Sequence, residues 1–174
     1  RFREVGQEVG IALNEGGQAR AAMGVDCADF NRSGRDSLIF GNFSNQMLSL
    51  YENQGNGLFI DVAARCGVGQ ASLKFLAFGT IFTDFDNDGW PDIFVANGHV
   101  QKDIEVTQRD VTLKERPLLF LNKGKGEFSE IGLKSGAPLA RPVVGRGSAA
   151  ADYDMDGTVD VLLTANGGKA TLFR

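Results

Sequence analysis

The sequence predicts an all-β chain built from repeated units of four antiparallel strands. Three observations lead there. A nine-residue acidic pattern, D-x-D-x-D-G-x-x-D, occurs at Asp84–Asp92 and again at Asp152–Asp160. Short runs of strand-forming character flank each copy, Thr80–Thr83 with Ile93–Val95, and Ser148–Ala151 with Val161–Leu163. A second pattern, N-x-G-x-G-x-F, recurs at Asn53–Phe59 and Asn122–Phe128 and reads as strand, tight glycine turn, strand.

The elements follow in chain order. Phe2-Arg3-Glu4-Val5 matches the tail of the hairpin pattern and predicts a strand closing an earlier unit. Gly24 then lies five residues before Asp29, as Gly79 lies before Asp84 and Gly147 before Asp152. Asp29–Ser37 is therefore a third copy of the acidic loop, with Asn31, Ser33 and Ser37 in place of carboxylates. The hairpins Leu50–Phe59 and Leu119–Phe128 follow the first and second loops, and Leu172-Phe173-Arg174 begins another after the third. The units run over 23–62, 78–133 and 146–174, with 1–22 as the end of a preceding unit and its connection. Four short antiparallel strands per unit is the anatomy of a propeller blade, and a closed propeller takes about four to eight blades. The expectation is one open, partial β-propeller segment over 1–174. The rival reading is a three-blade ring in which Phe2–Val5 completes the last unit.

The acidic loops carry the chemistry. Eight of the 14 Asp residues lie in the two full copies. Two like charges ~4 Å apart repel by about 4 kcal/mol at an effective dielectric of ~20, and an intervening cation reverses that. The candidate ligands are Asp84, Asp86, Asp88 and Asp92, with the backbone carbonyl of Trp90. In the later loop they are Asp152, Asp154, Asp156 and Asp160, with the carbonyl of Thr158. All are hard oxygens, which suit Ca²⁺, Mg²⁺ or Mn²⁺ rather than zinc or copper. A mostly protein-made cage favours Ca²⁺ over Mg²⁺. Gly89 and Gly157 permit the sharp turn. An EF-hand is excluded, because its twelfth loop position needs Glu and holds Val95 or Leu163 here. Asp29, Asn31, Ser33, Asp36 and Ser37 form a weak metal candidate.

Alternation of strand direction assigns the connections to two ends. The acidic loops and hairpin turns share one end. Phe43–Met47, Ala63–Lys74, the long connection Gly98–Arg116 and Ile131–Val144 share the other. The long connection holds Lys102, Asp103, Glu105, Arg109, Asp110, Lys114, Glu115 and Arg116. It reads first as a solvated, mobile excursion and second as a contact loop over a rigid scaffold.

Together these motifs resemble the FG-GAP/VCBS repeat β-propellers, and specifically bacterial proteins similar to cartilage acidic protein that carry an ASPIC/UnbV segment. The resemblance rests on both full acidic loops, both N-x-G-x-G-x-F hairpins, Asn97-Gly98-His99 and Gly145-Arg146-Gly147. It implies structural Ca²⁺, a protein or glycan ligand in adhesion, further blades of a larger propeller, and an extracytoplasmic location. It also leaves open a place within a larger secreted hydrolase or lyase.

Other classes find little support. The net charge of -4 comes with no basic stripe for nucleic acid, and no apolar run suffices for a membrane span. His99 is the single histidine, without a nucleophile motif or a second zinc ligand, so no enzyme activity is expected. Gly145–Ala150 matches G-x-G-x-x-A but runs into the acidic loop rather than a helix, so no nucleotide cofactor is expected. Cys27 and Cys66 are too few for a disulfide framework and stand either as a pair or as separate thiols. Phe59, Phe82, Phe94, Phe120 and Phe128 are expected to pack between blades.

Overall fold

Eleven strands form three antiparallel sheets in the computed structural model, which describes residues 1–174. Strands β1 (Val25–Ala28), β2 (Ser37–Phe40), β3 (Ser49–Gly55) and β4 (Leu58–Asp61) make the first sheet in sequence order. Strands β5 (Ala77–Thr83), β6 (Asp92–Asn97), β7 (Leu118–Asn122) and β8 (Phe128–Glu130) make the second. Strands β9 (Gly145–Ala151), β10 (Asp160–Ala165) and β11 (Thr171–Phe173) make the third, with β10 in the middle. The acidic loops join the first two strands of each sheet, and the Asn-Gly hairpins join the third and fourth. The all-β architecture is that of a partial β-propeller.

Strand β6 shows how the sheets stack. Side chains alternate along a strand, and all six of its residues are buried. Ile93 and Val95 join the core shared with the first sheet, alongside Ile39, Leu50, Phe120 and Phe128. Phe94 and Ala96 face the other way and pack with Val161 and Leu163 of the third sheet. A strand covered on both faces loses polar alternation, which is why Ile93–Ala96 reads as a continuous apolar run. The predicted aromatic packing across sheets is present for Phe82, Phe94, Phe120 and Phe128, whereas Phe59 is half-buried and joins neither core. Phe30 lies against Phe82 and Phe128, at centroid distances of 6.5 and 5.8 Å, and Phe94 against Phe173 at 5.9 Å.

The glycine before each loop marks where neighbouring sheets touch by backbone. A Cβ on Gly24 would fall 1.8 Å from the Phe78 carbonyl oxygen, and one on Gly79 2.5 Å from the Ser148 nitrogen. Only glycine lets β1, β5 and β9 approach so closely.

Two expectations are corrected. Phe2–Val5 forms no strand and completes no sheet. The Glu4 carboxylate accepts the Gly6 amide at 2.6 Å and Val9 donates to the Val5 carbonyl, so the segment folds into local turns. The chain then runs along the first sheet. Phe59 donates to the Val9 carbonyl, Tyr51 Oη to the Leu13 carbonyl, and Arg20 pairs with buried Asp61 at 2.9 Å. The long connection is corrected in part: most of its residues are exposed, as a solvated excursion requires, but it is anchored to the sheets. It contains α2 (Ile104–Thr107), after the earlier short helix α1 (Val68–Ser72), and buries His99, Ile104, Val111 and Glu115. Its charged residues Lys102, Asp103, Glu105, Arg109 and Asp110 stay exposed, while apolar anchors between them hold it down.

The connections gather at the end opposite the acidic loops, as strand direction requires. Asn45 donates to Gln108 at 2.8 Å, Lys74 pairs with Asp110 at 2.6 Å, and Phe43 meets the His99 ring edge-on. Glu115 and Val143 exchange backbone hydrogen bonds.

Candidate metal centre

Each acidic loop is closed by its first residue. Asp84 Oδ1 accepts the Asp88 amide at 3.0 Å and Oδ2 the Gly89 amide at 2.7 Å. Asp152 does the same for Asp156 and Gly157, and Asp29 for Ser33 and Gly34. The sixth position is glycine with φ of 78°, 83° and 89° in the three loops, a left-handed backbone that glycine adopts without penalty.

This turn brings carboxylates together. One oxygen from each of Asp84, Asp86 and Asp88 lies within 4.8 Å of the others, and the same holds for Asp152, Asp154 and Asp156. No Lys or Arg forms an ion pair with Asp84, Asp86 or Asp88. Three converging hard oxygens that no salt bridge engages fit a hard metal cation; the Arg32 guanidinium reaches this loop at its carbonyls rather than its carboxylates. In the third loop the Arg174 guanidinium pairs with Asp154 and reaches within 4.0 Å of Asp160. The Asp156 carboxyl is held below the usual range by the hydroxyl and amide of Thr158, which both donate to its Oδ1.

Asp92 and Asp160 sit apart from these trios, at the buried root of each loop. Asp92 Oδ2 accepts the Phe85 amide and Oδ1 the Asn122 amide, at 3.0 and 2.7 Å. Burial pushes its carboxyl up to about 6, against the pull of those two amides. Asp160 Oδ2 accepts the Tyr153 amide. These residues anchor the loop to its sheet. Trp90 is half-buried, its amide donating to Asp88 Oδ1, with the Arg32 guanidinium stacked 4.0 Å from its ring centre. Thr158 takes the same place in the later loop.

The first loop keeps the turn and loses the charge. Asn31 turns its amide to Glu52 at 2.8 Å, and Ser33 donates to Asp29. Asp36 is exposed and contributes its carbonyl to Asn53. Ser37 is fully buried and its hydroxyl accepts the Asn53 amide, the bond that Asp92 makes to Asn122. No acidic trio forms here.

Some residues matter that sequence reasoning overlooked. The hairpin residue Asn122 donates to the carbonyls of Pro91 and of Phe30 in the neighbouring sheet, and accepts from Gly124. Its recurrence as Asn53 was the available signal. At the fourth loop position, Arg32 donates to the carbonyls of Asp88 and Gly89, and Asn87 to that of Gly157. These bonds cross between sheets, and nothing local marks them.

The remaining candidates resolve simply. His99 Nδ1 accepts the Gln101 amide, and burial lowers its pKa, so the ring is neutral near pH 7. Arg146 donates to the carbonyls of Gly98 and His99, which joins the two glycine motifs across the second and third sheets. Cys27 and Cys66 remain separate thiols, one exposed and one buried, and burial pushes the Cys66 thiol up to about 11. No helix is long and apolar enough to cross a membrane.

Comparison with known proteins agrees with the repeat seen in the loops. The family model described as an FG-GAP-like repeat matches twice, over residues 29–95 and 84–163. Each match runs from the start of one acidic loop to the strand beyond the next. No curated protein gives a significant match. With most of its length covered by two overlapping copies, the chain belongs to the FG-GAP-like repeat family.

Proposed function

We propose that this chain is a calcium-binding repeat module of FG-GAP/VCBS type whose ions are structural and whose opposite end binds a protein or glycan in adhesion. The carrying observation is the convergence of Asp84, Asp86 and Asp88, and of Asp152, Asp154 and Asp156, in turns held open for them by backbone hydrogen bonds. Ca²⁺ suits these loops better than Mg²⁺, because it accepts six to eight oxygen ligands in flexible geometry. The residues hold and orient the ion. The ion in turn neutralises repulsion within the loop and pins the first two strands of the sheet.

The non-metal end is the candidate binding face. There Phe43–Met47, Lys74 and the long connection meet in one ordered surface. The role is one of recognition rather than catalysis, in an extracytoplasmic setting where Ca²⁺ is abundant. Further blades of the same repeat complete the propeller. We extend this reading to a finer kinship with bacterial proteins similar to cartilage acidic protein, on the acidic loops and hairpins together with Asn97-Gly98-His99 and Gly145-Arg146-Gly147.

Calorimetric titration of Ca²⁺ into chelator-stripped protein tests the reading, with Mg²⁺ as control and a melting curve at each end point. Two sites and a raised Tm are expected. A folded protein that takes up no Ca²⁺ refutes it.

A further inference from the structure

The cross-sheet bonds at the fourth loop position occur twice in the same geometry. Arg32, fourth in the first loop, donates to the Gly89 carbonyl at 3.2 Å and to the Asp88 carbonyl at 3.0 Å. Asn87, fourth in the second loop, donates to the Gly157 carbonyl at 3.1 Å. Gly89 and Gly157 are both sixth in their loops. The donors share a left-handed backbone, with φ of 53° and 56°, which projects the side chain away from its own loop and toward the next. Met155 holds the same backbone at φ 59° in the third loop and is 90% exposed.

The accepted carbonyl matters because of the peptide it belongs to. The Gly157–Thr158 peptide gives its oxygen to Asn87 and its N–H to Asp156 Oδ1, at 2.9 Å. One peptide plane thus links a neighbour's side chain to a candidate ligand carboxylate. Asn87 itself is flanked by the candidate ligands Asp86 and Asp88. A cation gripping those two fixes Asn87, which fixes the Gly157–Thr158 peptide and with it the Asp156 carboxylate.

We infer that Asn87 is a positioning residue that couples the second and third acidic loops, so that a cation in either raises the affinity of the other; this rests on the cation-binding reading of the loops. Linkage makes the effect reciprocal. One hydrogen bond of ordinary net strength corresponds to about three- to tenfold in affinity. Arg32 performs the same clamp on the second loop from a first loop that has no acidic trio, so its hold on the Gly89 carbonyl is independent of any ion in its own loop.

Trp90 is the only tryptophan and lies in the second loop, so terbium emission excited at the red edge of tryptophan absorption, where Tyr153 of the third loop does not absorb, is weighted toward the second loop. The test is terbium titration of the full chain with the third loop intact, or disabled by Asp154→Asn with Asp156→Asn. Disabling the third loop is expected to weaken the second about three- to tenfold. In an Asn87→Gly background, which keeps the left-handed backbone and removes the donor, that difference is expected to vanish. An undiminished difference in that background, or none in either, overturns the coupling while leaving cation binding in place. Absence of both terbium emission and Ca²⁺ uptake by calorimetry overturns the cation reading instead. Hydrogen exchange of the metal-free protein checks the link itself. Asn87→Gly is expected to speed exchange at the Thr158 amide, and unchanged exchange there overturns the proposed contact.

Discussion

Asp84 and Asp86 lie two residues apart and hold different duties, so their loss is read differently. Asp84 closes the loop through the amides of Asp88 and Gly89, whether or not an ion is present. Asp86 makes only a 3.3 Å contact with the Asp88 amide and is otherwise free to face a cation. Asp86→Ala is therefore expected to lower Tm in Ca²⁺ and to leave it nearly unchanged in chelator. Asp84→Ala is expected to cost about 1–3 kcal/mol in chelator and more in Ca²⁺, where the contribution of the ion is lost as well. Equal losses for Asp86→Ala with and without Ca²⁺ would contradict its role as a ligand. At the other end, Glu115 is buried with one oxygen on the Leu76 amide and the other without a partner. Burial pushes its carboxyl from 4.5 to about 8. The folded protein then keeps a proton that the unfolded chain releases near pH 4.5, so folding is favoured by protons in this window. The contribution of Glu115 is full below about 4.5 and falls by about 1.4 kcal/mol per pH unit as pH rises toward 8. Glu115→Gln is expected to flatten that slope in denaturant titrations run across the window, and an unaltered slope would assign it to other groups.

The hairpins show how much an element owes to its surroundings. Asn53 and Asn122 each cap their own glycine turn, accepting the amides of Gly55 and Gly124. Each also ties the turn to the root of its acidic loop, at the carbonyls of Asp36 and Pro91. Only Asn122 goes on to the Phe30 carbonyl of the next sheet. Asn122→Ala is accordingly expected to cost about 2–4 kcal/mol and Asn53→Ala about 1–2 kcal/mol, read as the shift in urea midpoint. The reverse order would place the main strength of the hairpin outside the inter-sheet bond. This contrast also explains what sequence alone could convey. The loops and hairpins are specified by residues a few positions apart, so spacing revealed the strands, their order and the converging carboxylates. Arg32 over Trp90, Asn122 on Phe30, and the burial of Glu115 depend on how one sheet docks on another. No local pattern encodes that docking. Phe2–Val5 misled for the same reason: it matches the tail of the hairpin pattern and pairs with no sheet.

Across the whole molecule, one interface design repeats and one copy of it lies open. Ile81, Phe94 and Leu119 share a face of the second sheet, and the third sheet covers that face with Val161, Leu163 and Phe173. Counting from each acidic loop, and following the strand pairing for the third residue, the same positions in the third sheet are Ala149, Leu162 and Leu172, which are cross-strand neighbours on one face. Leu162 and Leu172 are 41% and 42% exposed, and Tyr153, at the place of Phe85, is 73% exposed. An apolar sheet face built to the pattern of a covered one is a surface for another sheet of the same kind. Its exposure at micromolar concentrations is expected to drive reversible association of this chain with itself, because the geometry between the second and third sheets is already one that such sheets accept. A head-to-tail contact of this type need not close and can extend. Leu162→Lys with Leu172→Lys places two charges on the exposed face. In sedimentation velocity the wild-type chain is expected to gain mass with concentration and the double variant to stay monomeric at an unchanged Tm. Identical concentration dependence in the two proteins would locate any self-association elsewhere, at the partly covered face of the first sheet where Val25 is 66% exposed.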